Sequence, residues 1–513
     1  LIKKRIIKEF LGRKREDWRE AKTWSDDAIE RRRALLPVLP PMWSRLKRHQ
    51  RVCLLIGAEL KRFAFFLDTG CGKTVLSIAL ARFFRKAGVA KRCLILVPRR
   101  ANTGEWVREI KKHAPGTSWC VLKGSSTHKW ERLEHTKALL VITTYAGLTR
   151  MVCAKGVNRR GKNKMMPVPK LVRKLATSFD ALFMDESTEV KNKAKLPYRI
   201  CRQIAKRAPA TFALSGTPFG RDPSDLWGQM SLVDAGASLG ETLGLFRAAF
   251  FNAKPDFWGR ETYTFNKKMS GELHRCLAHR SLRYEADQAD LPRVVRINKS
   301  VTLRDDADVY FQEARKELIK AKGNYIESKN AFNRLRQISS GFIGYKDDDT
   351  GAKAQFEFDD NPKLEMLLSL IESIREDRKV VVFNEFIYSG ARISSELTDM
   401  KVKHVRVYGG TKDPAAALKA FVNDPSMRVL VLQNSMVLGL NVQVARYGIF
   451  YESPVPVIMR KQAERRVERQ HSTHDKVFLY DLVTRGTMDE RILAFHKQGG
   501  DLFKAIIGGK AKV

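Results

Sequence analysis

Residues Phe63-Ala64-Phe65-Phe66-Leu67-Asp68-Thr69-Gly70-Cys71-Gly72-Lys73-Thr74 constrain this chain more than any other stretch. An apolar run of strand character ends in a glycine-rich turn. The turn closes on Lys73-Thr74 and opens an amphipathic stretch from Val75 to Lys86. Strand, tight turn and helix in that order form a cradle for nucleotide phosphate. Gly70 and Gly72 permit the turn and bring backbone N–H groups close to phosphate oxygens. The helix N-terminus adds partial positive charge. Lys73 is placed to reach the β- and γ-phosphates, and the Thr74 hydroxyl to bind Mg²⁺. The strict pattern has a Gly six residues before the Lys, where this chain has Leu67.

Charge points to the partner. The chain carries 95 basic and 56 acidic residues, a net +39, which argues for a polyanion and for nucleic acid over a membrane surface. The excess is locally clustered. Between Arg150 and Phe179 lie nine Lys and Arg residues and no acid, interrupted by Gly, Asn and Pro. This stretch reads as a flexible basic loop for phosphate-backbone contact. No apolar run approaches the ~18 residues of a membrane span, and the basic start lacks a signal-peptide core. A cytoplasmic setting, bacterial or in a phage-infected host, is expected. The seven cysteines contain no Cys-x-x-Cys pair, so neither a zinc ribbon nor a disulfide framework is suggested. Cys71, inside the phosphate turn beside Lys73, is the candidate for a reactive thiol that alkylation attacks and bound ATP protects.

Along the chain, apolar strands alternate with helical patterns. Ala64–Leu67, Cys93–Val97, Leu139–Thr143, Ala181–Met184 and Thr211–Leu214 form a first series. Val380–Phe383, His404–Val407, Val429–Leu432, Tyr447–Tyr451 and Val477–Leu482 form a second. The rhythm predicts an α/β fold with parallel sheets wound by helices. Between the series, 303–338 reads as a charged helical segment and 346–360 as an acidic loop. Four parts are expected: a basic helical appendage (1–43), a first α/β domain (44–292), a helical insertion (293–362) and a second α/β domain (363–513).

A nucleotide hydrolase needs a metal carboxylate and a group that positions water. Asp185 and Glu186 end the apolar run from Ala181, 112 residues after Lys73. Asp185 is placed to hold Mg²⁺ and Glu186 to polarise water. Ser215-Gly216-Thr217-Pro218 follows the next strand, where Ser215 and Thr217 are placed to report phosphate state. In Gln462-Ala463-Glu464-Arg465-Arg466-Val467-Glu468-Arg469, Arg466 and Arg469 are three apart and share a helix face. If that face meets the cradle across a cleft, they act as arginine fingers.

The ordered set resembles a superfamily 2 helicase-type motor, in its Swi/Snf ATPase branch. Leu46 to Gln50 looks like that family's adenine-reading motif, with Gln50 the reader, and Asp68 to Thr74 its phosphate loop. Leu96-Val97-Pro98 with Trp106 and Glu109, then Val141 to Tyr145, Asp185-Glu186 with Lys191-Asn192, and Ser215 to Pro218 with Leu226-Trp227 follow in family order. So do Leu335 to Ile338, Val380 to Phe386, Tyr408 to Thr411, Leu438-Gly439-Leu440-Asn441 and Gln462 to Arg469. The similarity covers 44–495. Thr188 stands where the family has a His, Met436-Val437 replace a Gly pair, and Ser453-Pro454-Val455-Pro456 replace a Trp-Asn-Pro; the chain is a divergent member.

The resemblance implies two RecA-like parallel-sheet domains in tandem with helical insertions, sharing an ATP·Mg²⁺ cleft. Asp68, Thr69, Gly70, Cys71, Gly72, Lys73, Thr74, Gln50, Gly439 and Gln462 are its nucleotide residues. Arg99, Thr144, Arg159, Arg160, Lys162, Lys164 and Thr411 are its candidate nucleic-acid contacts. The implied activity is that of an ATP-driven, monomeric translocase on double-stranded DNA, with little sequence specificity because phosphate contacts carry no base information. Three alternatives stand beside it: a strand-separating DNA or RNA helicase, a packaging-type motor with a nuclease half at Asp359, Asp360 and Glu365, and a non-hydrolysing clamp. The aromatic group Phe251, Phe257, Trp258, Tyr263 and Phe265 reads as loop packing in preference to base stacking.

Overall fold

Strands that are apolar along their whole length must be covered on both faces, which in a parallel sheet is the work of helices. The computed structural model of the chain has this arrangement twice. It describes residues 2–68, 70–157, 163–216, 218–219, 222–255, 261–284, 292–321, 325–346, 353–437, 442–468 and 474–498. The chain divides into two units, Leu1–Ala286 and Asp287–Val513.

In the first unit, β1 (Arg62–Leu67), β2 (Cys93–Val97), β3 (Trp119–Val121), β4 (Leu140–Thr144), β7 (Ala181–Asp185), β8 (Ala210–Leu214) and β11 (Ser281–Tyr284) make one sheet in the order β11-β1-β8-β7-β2-β4-β3. Every pairing in it is parallel. Two antiparallel ribbons stand apart from it: β5 (Cys153–Val157) with β6 (Asn163–Pro167), and β9 (Phe251–Pro255) with β10 (Glu261–Phe265). In its described residues the basic stretch expected as a loop is ordered: Arg150 lies in the helix Tyr145–Val152, β5 pairs with β6, and the helix Pro169–Ala176 follows. Ribbon pairing runs through backbone groups, so it forms where Lys, Gly, Asn and Pro interrupt the apolar signal. Residues 1–43 contribute the helices Ile2–Leu11 and Asp26–Ala34, and Phe10 is buried with its ring edge-on to Phe250.

In the second unit, β12 (Arg293–Val301), β15 (Val380–Asn384), β16 (His404–Val407), β17 (Val429–Gln433), β18 (Tyr447–Phe450) and β19 (Lys476–Thr484) form a second all-parallel sheet, ordered β12-β19-β18-β15-β17-β16. Strand β12 pairs with β19 along all of its length, Arg293 to Val301. Its outward charges hid it from the sequence pattern. The segment 303–338 is two helices, Asp305–Lys320 and Tyr325–Ile338. Within the acidic stretch expected as a loop, Lys353–Glu357 is instead a strand, β14, paired antiparallel with β13 (Phe342–Lys346) in a third ribbon. Among the described residues no helix is long and apolar enough to cross a membrane.

Candidate active site

Strand order puts three separate pieces of sequence side by side. Asp185 of β7 pairs with Leu214 of β8, and Leu214 with Phe65 of β1. The turns leaving β1, β8 and β7 are therefore neighbours at the carboxyl edge of the sheet. The chain passes from β1 to β2 over both of the other strands, and such a switch point is where open α/β sheets bind ligands.

The turn after β1 is shaped by glycine. Gly70 and Gly72 have φ of 94° and 75°, and Gly72 is the N-cap of the helix Lys73–Lys86, with no side chain of its own to cap it. Lys73 starts the helix and turns back, its Nζ donating to the Leu67 carbonyl at 3.0 Å. Thr74 is half-buried as the second helical residue. Asp68 is buried and its amide donates to Tyr284 O at 3.0 Å. Gln50 lies beneath the turn. Its Nε2 donates to Cys71 O at 3.2 Å and its Oε1 accepts from Lys47 N at 2.9 Å. His49 Nε2 lies 2.9 Å from the same Cys71 carbonyl. A Cβ on Gly72 would collide with the Gln50 amide. Gln50 thus braces the phosphate turn in addition to any contact with a base. Cys71 is 4% exposed, so burial opposes the alkylation expected of it.

At the end of β7, Asp185 Oδ2 accepts from Trp106 Nε1 at 3.0 Å, and the Asp185 carbonyl accepts from Tyr145 OH at 2.8 Å. Burial, and then the adjacent Glu186 carboxylate, push the Asp185 carboxyl above its usual range, while Lys73 and Trp106 pull it back. Crowded acid beside a lysine and a threonine hydroxyl is the donor chemistry a divalent cation relieves, so these residues fit Mg²⁺ with a phosphate. Glu186 has φ of 47°, a left-handed value unusual for a non-glycine residue. Ser215 Oγ donates to Glu186 Oε2 at 3.3 Å.

Other candidates also lie at strand ends. Thr144 ends β4, and its hydroxyl accepts from Gly147 N at 2.9 Å to cap the next helix. Arg99 follows β2 half-buried, and burial lowers its pKa against the attraction of Glu189. In the second unit, Thr411 Oγ1 accepts from Tyr408 N at 2.9 Å. Arg466 is 8% exposed on the helix Val457–Val467, with Gln462 half-buried on the same helix. That helix ends at Val467 with Glu468 as its C-cap, so the shared helical face expected for Arg466 and Arg469 is not established. Thr69, Arg159, Arg160, Lys162, Thr217, Gly439 and Arg469 lie outside the described residues, as do Phe257 and Trp258 and the side chain of Lys164. Phe251 is buried and meets Phe265 edge-on at 5.5 Å, which is packing.

Two groups carry weight that the sequence did not flag. Gln229 is fully buried and bonded to both turns that flank the acid pair. In the second unit Glu452 is buried and binds the backbone at the start of the helix Ile387–Asp399. Neither has a spacing or a motif that marks it. The only available signal is a polar residue inside an apolar run, and that needs the fold to be recognised.

A phosphate cradle, an acid pair and a hydroxyl turn on adjacent parallel strands define a nucleotide-binding protein of the helicase-motor class. The profile of the SNF2-related domain matches residues 61–343, more than half of the chain, and that of the helicase conserved C-terminal domain matches residues 362–471. The chain belongs to the SNF2-related family. YwqA of Bacillus subtilis strain 168, whose name describes an ATP-dependent helicase/translocase, is 22% identical over 83% of this chain and 44% of its own length. Protein p41 of Acyrthosiphon pisum secondary endosymbiont phage 1 is 26% identical over 56% of this chain and 62% of its own. The chain therefore spans less than two thirds of either relative. A solved SWI2/SNF2 ATPase core of Sulfolobus solfataricus in complex with dsDNA is 21% identical, covering 90% of this chain and 93% of that one at a TM-score of 0.39.

Proposed function

We propose that this protein is an ATP hydrolase that translocates on double-stranded DNA. The observation that carries the reading is the row Phe65–Leu214–Asp185, which sets the phosphate turn, Ser215 and the acid pair side by side at one sheet edge. In this reading Lys73 leaves the Leu67 carbonyl for the β- and γ-phosphates, and the amides from Gly70 to Thr74 hold the phosphate oxygens. Thr74 and Asp185 hold Mg²⁺, which neutralises phosphate charge. Glu186 orients the attacking water, and Ser215, together with Thr217, reports its position. Arg466 and Arg469 supply positive charge to the transferring phosphate, and Gln50, Gly439 and Gln462 bind nucleotide.

The DNA track follows from the +39 charge and from the basic ribbon within the stretch expected as a loop. In this reading Arg99, Thr144, Thr411 and the basic residues Arg159, Arg160, Lys162 and Lys164 line it. Family membership and a relative named as a helicase/translocase support the same reading. In this reading 1–43 is the appendage, 44–292 the ATP-binding domain, 293–362 a linking insertion that also lends strand β12 to the second sheet, and 363–513 the arginine-bearing domain of a monomeric cytoplasmic motor.

The test is steady-state ATP hydrolysis with no nucleic acid, duplex DNA, single-stranded DNA and RNA, beside Lys73→Ala. Stimulation by duplex DNA, falling about 10²–10³-fold in the variant, is the expected result. Stimulation only by single strands or RNA makes the protein a strand-separating helicase. ATP binding without hydrolysis makes it a clamp.

A further inference from the structure

A buried amide in an apolar helix face needs a reason, because an unpaired polar group there is costly. Gln229 is such a group. It sits in the helix Ser224–Asp234 at 0% exposure, among buried Leu226, Met230 and Val233. Its Oε1 accepts from Ser187 Oγ at 2.6 Å. Its Nε2 donates to Pro218 O at 2.5 Å and to Asp225 O, one turn back, at 2.9 Å. Both amide protons are used, and the amide oxygen has its donor.

The partners decide what this means. Ser187 is the residue directly after Asp185-Glu186, and it too is 0% exposed. Pro218 closes the turn that begins at Ser215, and Ser215 Oγ reaches Glu186 Oε2. The contacts form a ring: Glu186 to Ser187 along the chain, Ser187 to Gln229, Gln229 to Pro218, and Ser215 back to Glu186. Two further contacts clamp it. A Cβ on Gly228 would collide with the Lys191 carbonyl, so the helix backbone presses directly on the segment that follows Ser187–Val190. Lys191 Nζ pairs with Asp225 Oδ2 at 2.8 Å on the rim. Glu186 holds a left-handed backbone that persists only when its surroundings enforce it.

We propose that Gln229 is a positioning residue: with Ser187 it bolts the turn after β8 to the acidic end of β7, so that the Glu186 carboxylate and Ser215 change position together during turnover. This rests on the hydrolase reading above and adds a residue to it. Gln229 touches neither nucleotide nor metal; it acts through Glu186.

The test is a double-mutant cycle of Ser187→Ala and Gln229→Leu in the full chain, read by kcat and KM for ATP, with and without duplex DNA, and by Tm. Replacing Ser187 and Gln229 together leaves no orphan between them, but the Pro218 carbonyl loses its Gln229 donor, so a modest fall in Tm is expected; the cycle isolates the Ser187–Gln229 pair. The expected result in the double variant is a kcat lower by about tenfold to a hundredfold, with KM for ATP within about twofold of wild type. If the double variant does not fold, Ser187→Ala alone is expected to show the same split of kcat from KM, to a smaller degree. A folded variant with kcat within about twofold of wild type and only Tm reduced overturns the proposal, because the bolt is then packing alone. If wild type hydrolyses ATP without DNA stimulation, the same comparison is made on the unstimulated kcat. A wild-type chain that hydrolyses no ATP overturns the hydrolase reading, and this inference with it.

Discussion

Two helix starts after parallel strands show how differently the units use the same local geometry. In the first unit the helix Lys73–Lys86 follows β1 and begins on a left-handed glycine, which has no side chain to cap it. In the second unit the helix Ile387–Asp399 follows β15. There the buried Glu452 carboxylate accepts from the amides of Glu385 at 2.6 Å and Phe386 at 3.0 Å, and from the Ser389 hydroxyl. Both helix starts offer unpaired amides and a positive dipole end. The second meets an anion supplied by its own chain, at the end of neighbouring β18. The first has a glycine turn and Lys73, whose Nζ bonds the Leu67 carbonyl, and is the start to which the proposed phosphate site is assigned. A helix N-terminus is therefore a binding site only where the fold has not already filled it. The candidate arginine of the second unit, Arg466, lies on the helix Val457–Val467. There Arg460 is committed to Asp481 at 2.8 Å and to Glu464 at 2.8 Å, while Arg466 lies two turns further on.

Three measurements break or sharpen this contrast. The largest effect is expected from Arg466→Ala. If the second unit contributes an arginine and no phosphate site, stimulated kcat falls about 10³-fold while ATP binding is retained. A kcat near wild type removes the second unit from the chemistry. A middle effect is expected from Glu452→Gln, which keeps the shape and removes the charge at the filled helix start. Stability falls by about 1–3 kcal/mol in urea unfolding, with KM for ATP unchanged. An unchanged midpoint shows that the carboxylate is not what holds that helix.

The smallest effect concerns acid and the brace under the first helix. Burial lowers the His49 pKa below the ordinary imidazole value, the Cys71 carbonyl opposes this, and Lys47 adds to it. An unfolded histidine takes up its proton near pH ~6.5 and the folded one only at lower pH, so protons favour unfolding. The contribution of neutral His49 is present above that pH and is lost as pH falls below it. Tm measured from pH 8 downwards should fall below pH ~6.5, and His49→Gln should remove part of that fall. Burial lowers His274, His279 and His496 in the same direction, so part of the slope remains. An unchanged slope in the variant removes His49 from the acid response.

The central strands were legible because each is a short apolar run bounded by turn residues. Cys93–Val97, and His404–Val407 at the edge of the second sheet, have the bounds the pattern predicts, and the others differ by a residue or two at one or both ends. The edge strands Trp119–Val121, Ser281–Tyr284 and Arg293–Val301 and the ribbons were not legible. Arg293–Val301 exposes charged residues along an edge, and Cys153–Val157 with Asn163–Pro167 is held by backbone pairing through a stretch that Lys, Gly, Asn and Pro interrupt. In the site, the lysine, threonine and acid pair could be read because their chemistry demands those residue types in that order. Gln229 and Glu452 could not, because a buried amide or carboxylate is defined by partners distant in the chain.

Sequence alone determined the two α/β series, the phosphate turn, the acid pair and a charge suited to a polyanion. Each of these follows from local pattern or composition, which neighbouring residues carry without reference to the rest of the chain. Only the tertiary structure decided that the turns after β1, β8 and β7 are neighbours, that Gln229 ties two of them together, and that Glu452 fills one helix start while glycine shapes the other. Those facts depend on strand order, and strand order is set by which apolar faces bury one another across more than a hundred residues of intervening chain.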